Sequence, residues 1–152
     1  MDSFLRAAYE EAQKGENEGG IPIGSVLVID GQIVGRGHNQ RVQKGSVILH
    51  AEMSALENAG RLSPSTYQNS VLYTTLSPCK MCSGAILLYK IPRVVIGENQ
   101  NFQGNEGYLI QNNVRVDVLN DQDCIGMMEA FIQNNPQLWF EDIGEDSKDK
   151  DC

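Results

Sequence analysis

No run of the chain approaches the eighteen or so consecutive apolar residues of a membrane span. The opening residues, with Asp2, Arg6, Glu10 and Glu11, also lack the apolar centre of a secretory signal. A soluble, intracellular protein is therefore expected, cytoplasmic with the nucleus left open. Basic residues are scarce: 12 lysines and arginines face 20 aspartates and glutamates, for a net charge of -8. Phosphate backbones are held by basic patches, and Arg36, Arg41 and Lys44 form only a thin one, so nucleic acid is a poor candidate partner. Four cysteines in 152 residues do not make a disulfide framework. Gly31, Gly35 and Gly37 do not form a nucleotide fingerprint, since no G-x-G-x-x-G follows a strand. Neither an internal repeat nor a linker is visible. An apolar content of 41% suits one compact domain, expected over 1–145, with a disordered acidic tail at 146–152.

What is present is concentrated in two stretches, His50-Ala51-Glu52 and Ser77-Pro78-Cys79-Lys80-Met81-Cys82. Two cysteines three positions apart project from one face of a helical turn, which suits two thiolates on a tetrahedral zinc ion with His50 as third ligand. Three protein ligands leave a fourth position, closed in structural zinc sites and open to water in catalytic ones. The order H-x-E, then P-C-x-x-C, matches the signature of zinc nucleobase deaminases, in which the glutamate is acid and base and not a ligand. Glu52 thus favours the catalytic case. Taken singly, the C-x-x-C reads equally as a redox dithiol and the histidine as a core residue, but a dithiol needs neither His50 nor Glu52. Two thiolates and one imidazole favour zinc over iron. Cys124, in an apolar run, is expected to be a buried thiol, and Cys152 an exposed one.

Periodicity places these residues on elements. Phe4, Leu5, Ala7, Ala8 and Ala12 predict an amphipathic helix ending near Gly15. Ile23 to Ile29 and Gln32 to Gly35 predict an antiparallel pair around an Asp30-Gly31 turn. Residues 37–46 read as a polar loop with His38 solvated. A helix from about Leu49 to Asn58 carries His50 at an irregular first turn, because residues two apart on a regular helix point about 200° apart. Val71 to Leu76 predicts a strand, broken by Ser77-Pro78, and Cys79 opens a helix to Lys90. Both ligand groups then sit at helix N-termini, where the dipole favours thiolate. Strands at Val94–Gly97 and Val114–Leu119 flank a crossover with a short helix near Tyr108–Gln111; an amphipathic helix covers Asp121–Asn134 and Pro136 ends it or starts another. The order implies an α/β fold with a mixed sheet and helices on both faces.

The chain resembles the zinc-dependent cytidine deaminase superfamily and, within it, the fungal type of cytosine deaminase. Besides the metal motifs the likeness includes Gly19 to Gly24, Gly35-Arg36-Gly37-His38-Asn39, Leu72 to Leu76, Gly97-Glu98-Asn99, Asn101-Phe102 and Trp139 to Gly144. One departure is Ala51, where the fungal enzymes carry glycine. The resemblance implies a three-layer α-β-α fold with a five-stranded mixed sheet and a homodimer. It implies hydrolysis of cytosine to uracil and ammonia by zinc-bound hydroxide, in pyrimidine salvage, with 5-substituted cytosines such as 5-fluorocytosine as further substrates. By the same resemblance Glu52 moves the protons, Asn39 and the Ala51 amide hold the N1 and O2 edge, and Phe102 stacks on the base. Ile23, Leu76 and His50 complete the pocket, the Ser77 carbonyl and Asp142 hold the exocyclic amine, and Trp139 closes the site. From the residues alone, Trp139 reads as helix docking, Asp142 as a solvated acid, Asn39 as a turn residue and Phe102 as a core aromatic. A guanine, nucleoside or tRNA adenosine deaminase, or a noncatalytic zinc-binding subunit, remain alternatives.

Overall fold

The computed structural model describes residues 1–146. The expected disordered tail, apart from Asp146, and Cys152 lie outside the described residues. Five strands form one sheet: β1 (Gly24–Ile29), β2 (Gln32–His38), β3 (Ser70–Leu76), β4 (Arg93–Glu98) and β5 (Arg115–Val118), in spatial order β2-β1-β3-β4-β5. Asp30 and Gly31 both take positive φ, 50° and 74°, as the expected tight turn requires. β1 runs antiparallel to β2 and β3, whereas β3, β4 and β5 are parallel. Parallel neighbours need crossovers, supplied by α5 (Lys80–Leu88) and α6 (Glu106–Gln111).

Side chains alternate across a strand, so each strand feeds two cores. Leu27, Leu72, Val94 and Ile96 face one layer, with Leu56 and Ala59 of α3 (Ala51–Ala59), Tyr67 of α4 (Pro64–Tyr67), Ile86 of α5 and Leu109 of α6. Val26, Val28, Tyr73 and Val95 face the other, with Leu5, Ala7 and Ala8 of α1 (Ser3–Asn17) and Cys124 of α7 (Gln122–Asn134). The result is the expected three-layer α-β-α arrangement. A third cluster, Ile21, Ile23, Ala51, Leu76, Met128, Phe131 and Trp139, seals the sheet end where β3 stops, and it includes residues of α7 and α8 (Pro136–Asp142). Cys124 is fully buried, and burial pushes its thiol up to about 12.

Two local expectations are corrected. β2 continues to His38, which is 5% exposed and not solvated. Its Nδ1 lies 2.9 Å from Glu11 Oε1 and its Nε2 2.8 Å from Glu18 Oε1, so acidic groups in α1 and at its C-cap supply partners that the local sequence does not show. The polar stretch 37–46 holds a single helical turn, α2 (Arg41–Lys44), ended by Gly45 at φ 59°. α4 also lies between the predicted elements; Ser63 caps it by accepting from the Thr66 amide at 3.2 Å, and Pro64 occupies its first turn.

Candidate active site

Both metal motifs fall at the start of a helix. His50 is the N-cap of α3, with extended backbone angles (φ -63°, ψ 164°), and Cys79 is the N-cap of α5 (φ -70°, ψ 179°). The extended His50 is the irregular first position that frees its ring from the regular 100° step. Cys82, one turn into α5, shares the face of Cys79.

These three side chains meet. His50 Nδ1 lies 3.4 Å from Cys79 Sγ and 3.7 Å from Cys82 Sγ, and all three donor atoms are within 4.8 Å of one another. Zinc bonds of ~2.3 Å to sulfur and ~2.05 Å to nitrogen at tetrahedral angles give an S···N separation of ~3.6 Å. The cluster therefore fits zinc both in spacing and in donor type. The other ring nitrogen, Nε2, sits 3.2 Å from the Asp142 carbonyl oxygen. A carbonyl only accepts, so Nε2 carries the hydrogen and Nδ1 offers its lone pair to the site, the usual outer support of a metal-bound imidazole. Without metal the cluster shares protons unevenly. The Cys82 thiol beside it and His50 hold Cys79 down near 4, against burial; Cys82 is pushed up by that same neighbour and by burial. Burial lowers the His50 pKa, but contact with Cys79 and the nearby carboxylates outweighs it and leaves it near 9.

Glu52 occupies the first turn of α3 and is 4% exposed. Burial, reinforced by Cys79, pushes its carboxyl up to about 7, with His50 opposing. A small cavity of about 20 Å³ adjoins it, walled by Ile23, His50, Glu52, Leu76, Ser77, Cys79, Phe102, Trp139, Asp142 and Ile143. That is room for about one water molecule. Ala51, fully buried, backs the wall beside Ile23, Leu76 and Trp139. Phe102 and Trp139 meet edge to face, with centroids 5.7 Å apart at 83°.

Asn39 and Asp142, 103 positions apart, are joined directly: Asn39 Nδ2 donates to both Asp142 oxygens at 3.1 Å. Both are buried, so Asp142 is not a solvated acid and Asn39 is more than a turn residue. The Ser77 hydroxyl donates to Glu106 at 2.6 Å and accepts from the Gly104 amide at 2.9 Å. A Cβ at Gly104 would strike the Pro78 carbonyl, so only glycine lets the Phe102 loop approach the metal loop this closely.

Four residues escaped sequence reasoning. Glu106 holds Ser77. Glu98, fully buried, accepts from the Gln100 and Asn101 amides at 2.7 and 2.9 Å and from Asn101 Nδ2 at 2.8 Å, which shapes the turn leading to Phe102. Ile143 lines the cavity. Arg41, counted only as a surface charge, lies over Asp142. For the two glutamates the mostly polar stretch around Phe102 beside a buried strand end was the available signal; Ile143 fell inside the Trp139 to Gly144 likeness without a role of its own, and for Arg41 there was no signal.

A three-layer sheet with His-Cys-Cys at two helix N-termini and a buried carboxyl beside it defines a zinc-dependent hydrolytic enzyme. Residues 1–98 match the family model for the cytidine and deoxycytidylate deaminase zinc-binding region. The chain is 60% identical over 142 residues to a cytosine deaminase of Candida albicans, covering 93% of this chain and 95% of that protein. It is 41% identical over 140 residues to a tRNA-specific adenosine deaminase of Streptococcus pyogenes, covering 86% and 88%. Among solved structures, guanine deaminase from Bacillus subtilis superposes with a TM-score of 0.55 at 29% identity, covering 88% of this chain and 76% of that one. The chain belongs to the zinc-dependent cytidine and deoxycytidylate deaminase family.

Proposed function

We propose that the protein hydrolyses cytosine to uracil and ammonia, with 5-substituted cytosines such as 5-fluorocytosine as further substrates. The observation that carries this reading is the 60% identity to the Candida albicans cytosine deaminase across 93% of the chain. The net charge of -8 supports a free base over a nucleic-acid strand. In this reading residues 1–145 form one deaminase domain that works as a homodimer in the cytoplasm, in pyrimidine salvage.

His50, Cys79 and Cys82 hold the zinc, which when bound lowers the pKa of a water from 15.7 to about 7 and so supplies a nucleophile at neutral pH. Glu52 takes the proton released by the attacking water and delivers it to N3 of the base. It then hands the second proton to the amine, which leaves from C4 as ammonia. A carboxyl both accepts and donates a proton, which suits it to the two transfers. Asn39 and the Ala51 amide hold the N1 and O2 edge. The Ser77 carbonyl and Asp142 accept from the exocyclic amine. Asp142 already accepts hydrogen bonds from Asn39 and Arg41, so its remaining lone pairs favour an amine over the product's carbonyl oxygen. Phe102, Trp139, Ile23 and Leu76 enclose the ring and exclude bulk water.

The test is ultraviolet absorbance of zinc-quantified protein with cytosine, beside cytidine, guanine and a tRNA stem-loop carrying adenosine. Turnover of cytosine alone, at about one zinc per chain, is expected from the ligand set. Turnover of the stem-loop and not of cytosine would overturn the reading.

A further inference from the structure

Arg41 touches no reacting atom in the mechanism above, yet its side chain makes four hydrogen bonds beside the cleft outside the cavity. Its side chain is 9% exposed, against 59% for Glu141 and 2% for Asp142. The guanidinium spans both acids of α8: Nη1 donates to Glu141 Oε1 at 2.8 Å and to Asp142 Oδ1 at 3.1 Å, and Nη2 donates to Glu141 Oε2 at 2.7 Å. Nε donates to the Val47 carbonyl at 2.9 Å, which anchors the fork to its own loop. The Arg41 backbone amide donates to Asn39 Oδ1 at 3.0 Å. One residue thus orients both Asn39 and Asp142, while Asn39 Nδ2 closes the ring onto Asp142.

The cavity adds a second observation. At about 20 Å³ it has room for roughly one water. Trp139 and Asp142 of α8 and the adjoining Ile143 form part of its wall. Outside that wall lies a cleft of about 490 Å³ bordered by Arg41, Glu141, Asp142, Ile143, Gly144 and Phe102. α8 and the Phe102 loop thus lie between this cleft and the buried carboxyl of Glu52.

We propose that Arg41 is a positioning residue for the substrate site, clamping α8 against the Asn39 loop so that Asn39 and Asp142 face the base together. It rests on the reading of Asn39 and Asp142 as substrate contacts. The bidentate fork is what the geometry uses: a lysine ammonium is a point charge and cannot serve Glu141, Asp142 and Val47 in one arrangement. The pair with Asp142 is buried and unscreened, whereas the arm to Glu141 is exposed and contributes less.

The experiment compares wild type with Arg41→Gln, Arg41→Lys and Glu141→Gln, all zinc-loaded and zinc-quantified. Trp139 is the single tryptophan of the chain and lies on α8, so its quenching by acrylamide, read without substrate, reports the clamp directly. Arg41→Gln is expected to raise quenching and to raise KM for cytosine about 30-fold while kcat stays within about threefold, the signature of lost binding rather than lost chemistry. Arg41→Lys should recover little, and Glu141→Gln should fall between wild type and Arg41→Gln. Unchanged quenching and KM in Arg41→Gln would overturn the proposal, as would a fall in kcat alone with reduced zinc content. If Arg41→Gln does not fold, Arg41→Lys decides: wild-type quenching and KM there overturn the clamp. Wild-type protein inert toward cytosine would defeat the functional reading, while the quenching series would still judge the clamp.

Discussion

Glu52→Gln isolates the proton transfers from everything else in the site. Glutamine keeps the shape of glutamate, so the cavity wall of Ile23, Leu76 and Trp139 is undisturbed. Glu52 lies outside the set of three metal-ligating atoms, and one zinc per chain should be retained. The amide can neither accept the proton from water nor deliver one to N3. A positioned acid or base contributes about 10²–10⁴ in rate, and in the proposed mechanism Glu52 serves two successive transfers, so kcat should fall by at least about 10⁴ with a smaller change in KM. Burying a carboxylate is unfavourable, so the neutral variant, compared metal-free, should melt no lower than wild type. The assay is loss of cytosine absorbance with ammonia release, beside atomic absorption for zinc. A zinc-replete variant with kcat within about tenfold of wild type would refute the assignment of proton transfer to Glu52.

Cys82→Ser removes one of two thiolates from a buried site, and dialysis against a chelator should strip zinc from the variant under conditions that leave wild type loaded. Asp142→Asn turns one acceptor oxygen into a donor facing Asn39 Nδ2 or the Arg41 fork; kcat/KM for cytosine should fall about 100-fold with zinc retained. Glu11 has its pKa lowered because hydrogen bonds from His38 and Arg36 outweigh burial, which acts the other way. A depressed carboxyl stabilises above its unfolded value of 4.5 and loses that contribution as pH falls through its folded value, so wild type should lose melting temperature below pH 4.5. Glu11→Gln should lack that part of the acid transition and melt about 2–12 °C lower at pH 7, a loss of about 1–3 kcal/mol. Arg36 is 46% exposed, which places its share at the low end.

Much of the architecture was legible because it is local. The Asp30-Gly31 turn, the alternating strands, the cysteines one turn apart and the histidine forced off the regular helix all follow from spacings of a few residues. His38 was misplaced for the complementary reason. Nothing within its own polar stretch marks it as buried; its two partners, Glu11 on α1 and Glu18 at the cap that ends it, sit 27 and 20 positions earlier. Asp142 likewise reads as an ordinary acidic residue near an acidic end until α8 is laid across the sheet terminus.

From the amino-acid order alone come the donor set His50, Cys79 and Cys82, the carboxyl of Glu52 beside it, and the mixed sheet that carries them. Each depends on helical or strand periodicity, which is a property of neighbouring residues. Only the tertiary structure decided that His50 offers Nδ1, since the Asp142 carbonyl that takes the other nitrogen lies 92 positions away. Only it joined Asn39, Arg41 and Asp142 into one hydrogen-bonded ring. Such pairings depend on how α8 packs against the loop after β2, and burial of Trp139 and Ile143 against distant segments sets that packing, not the local propensity of either segment.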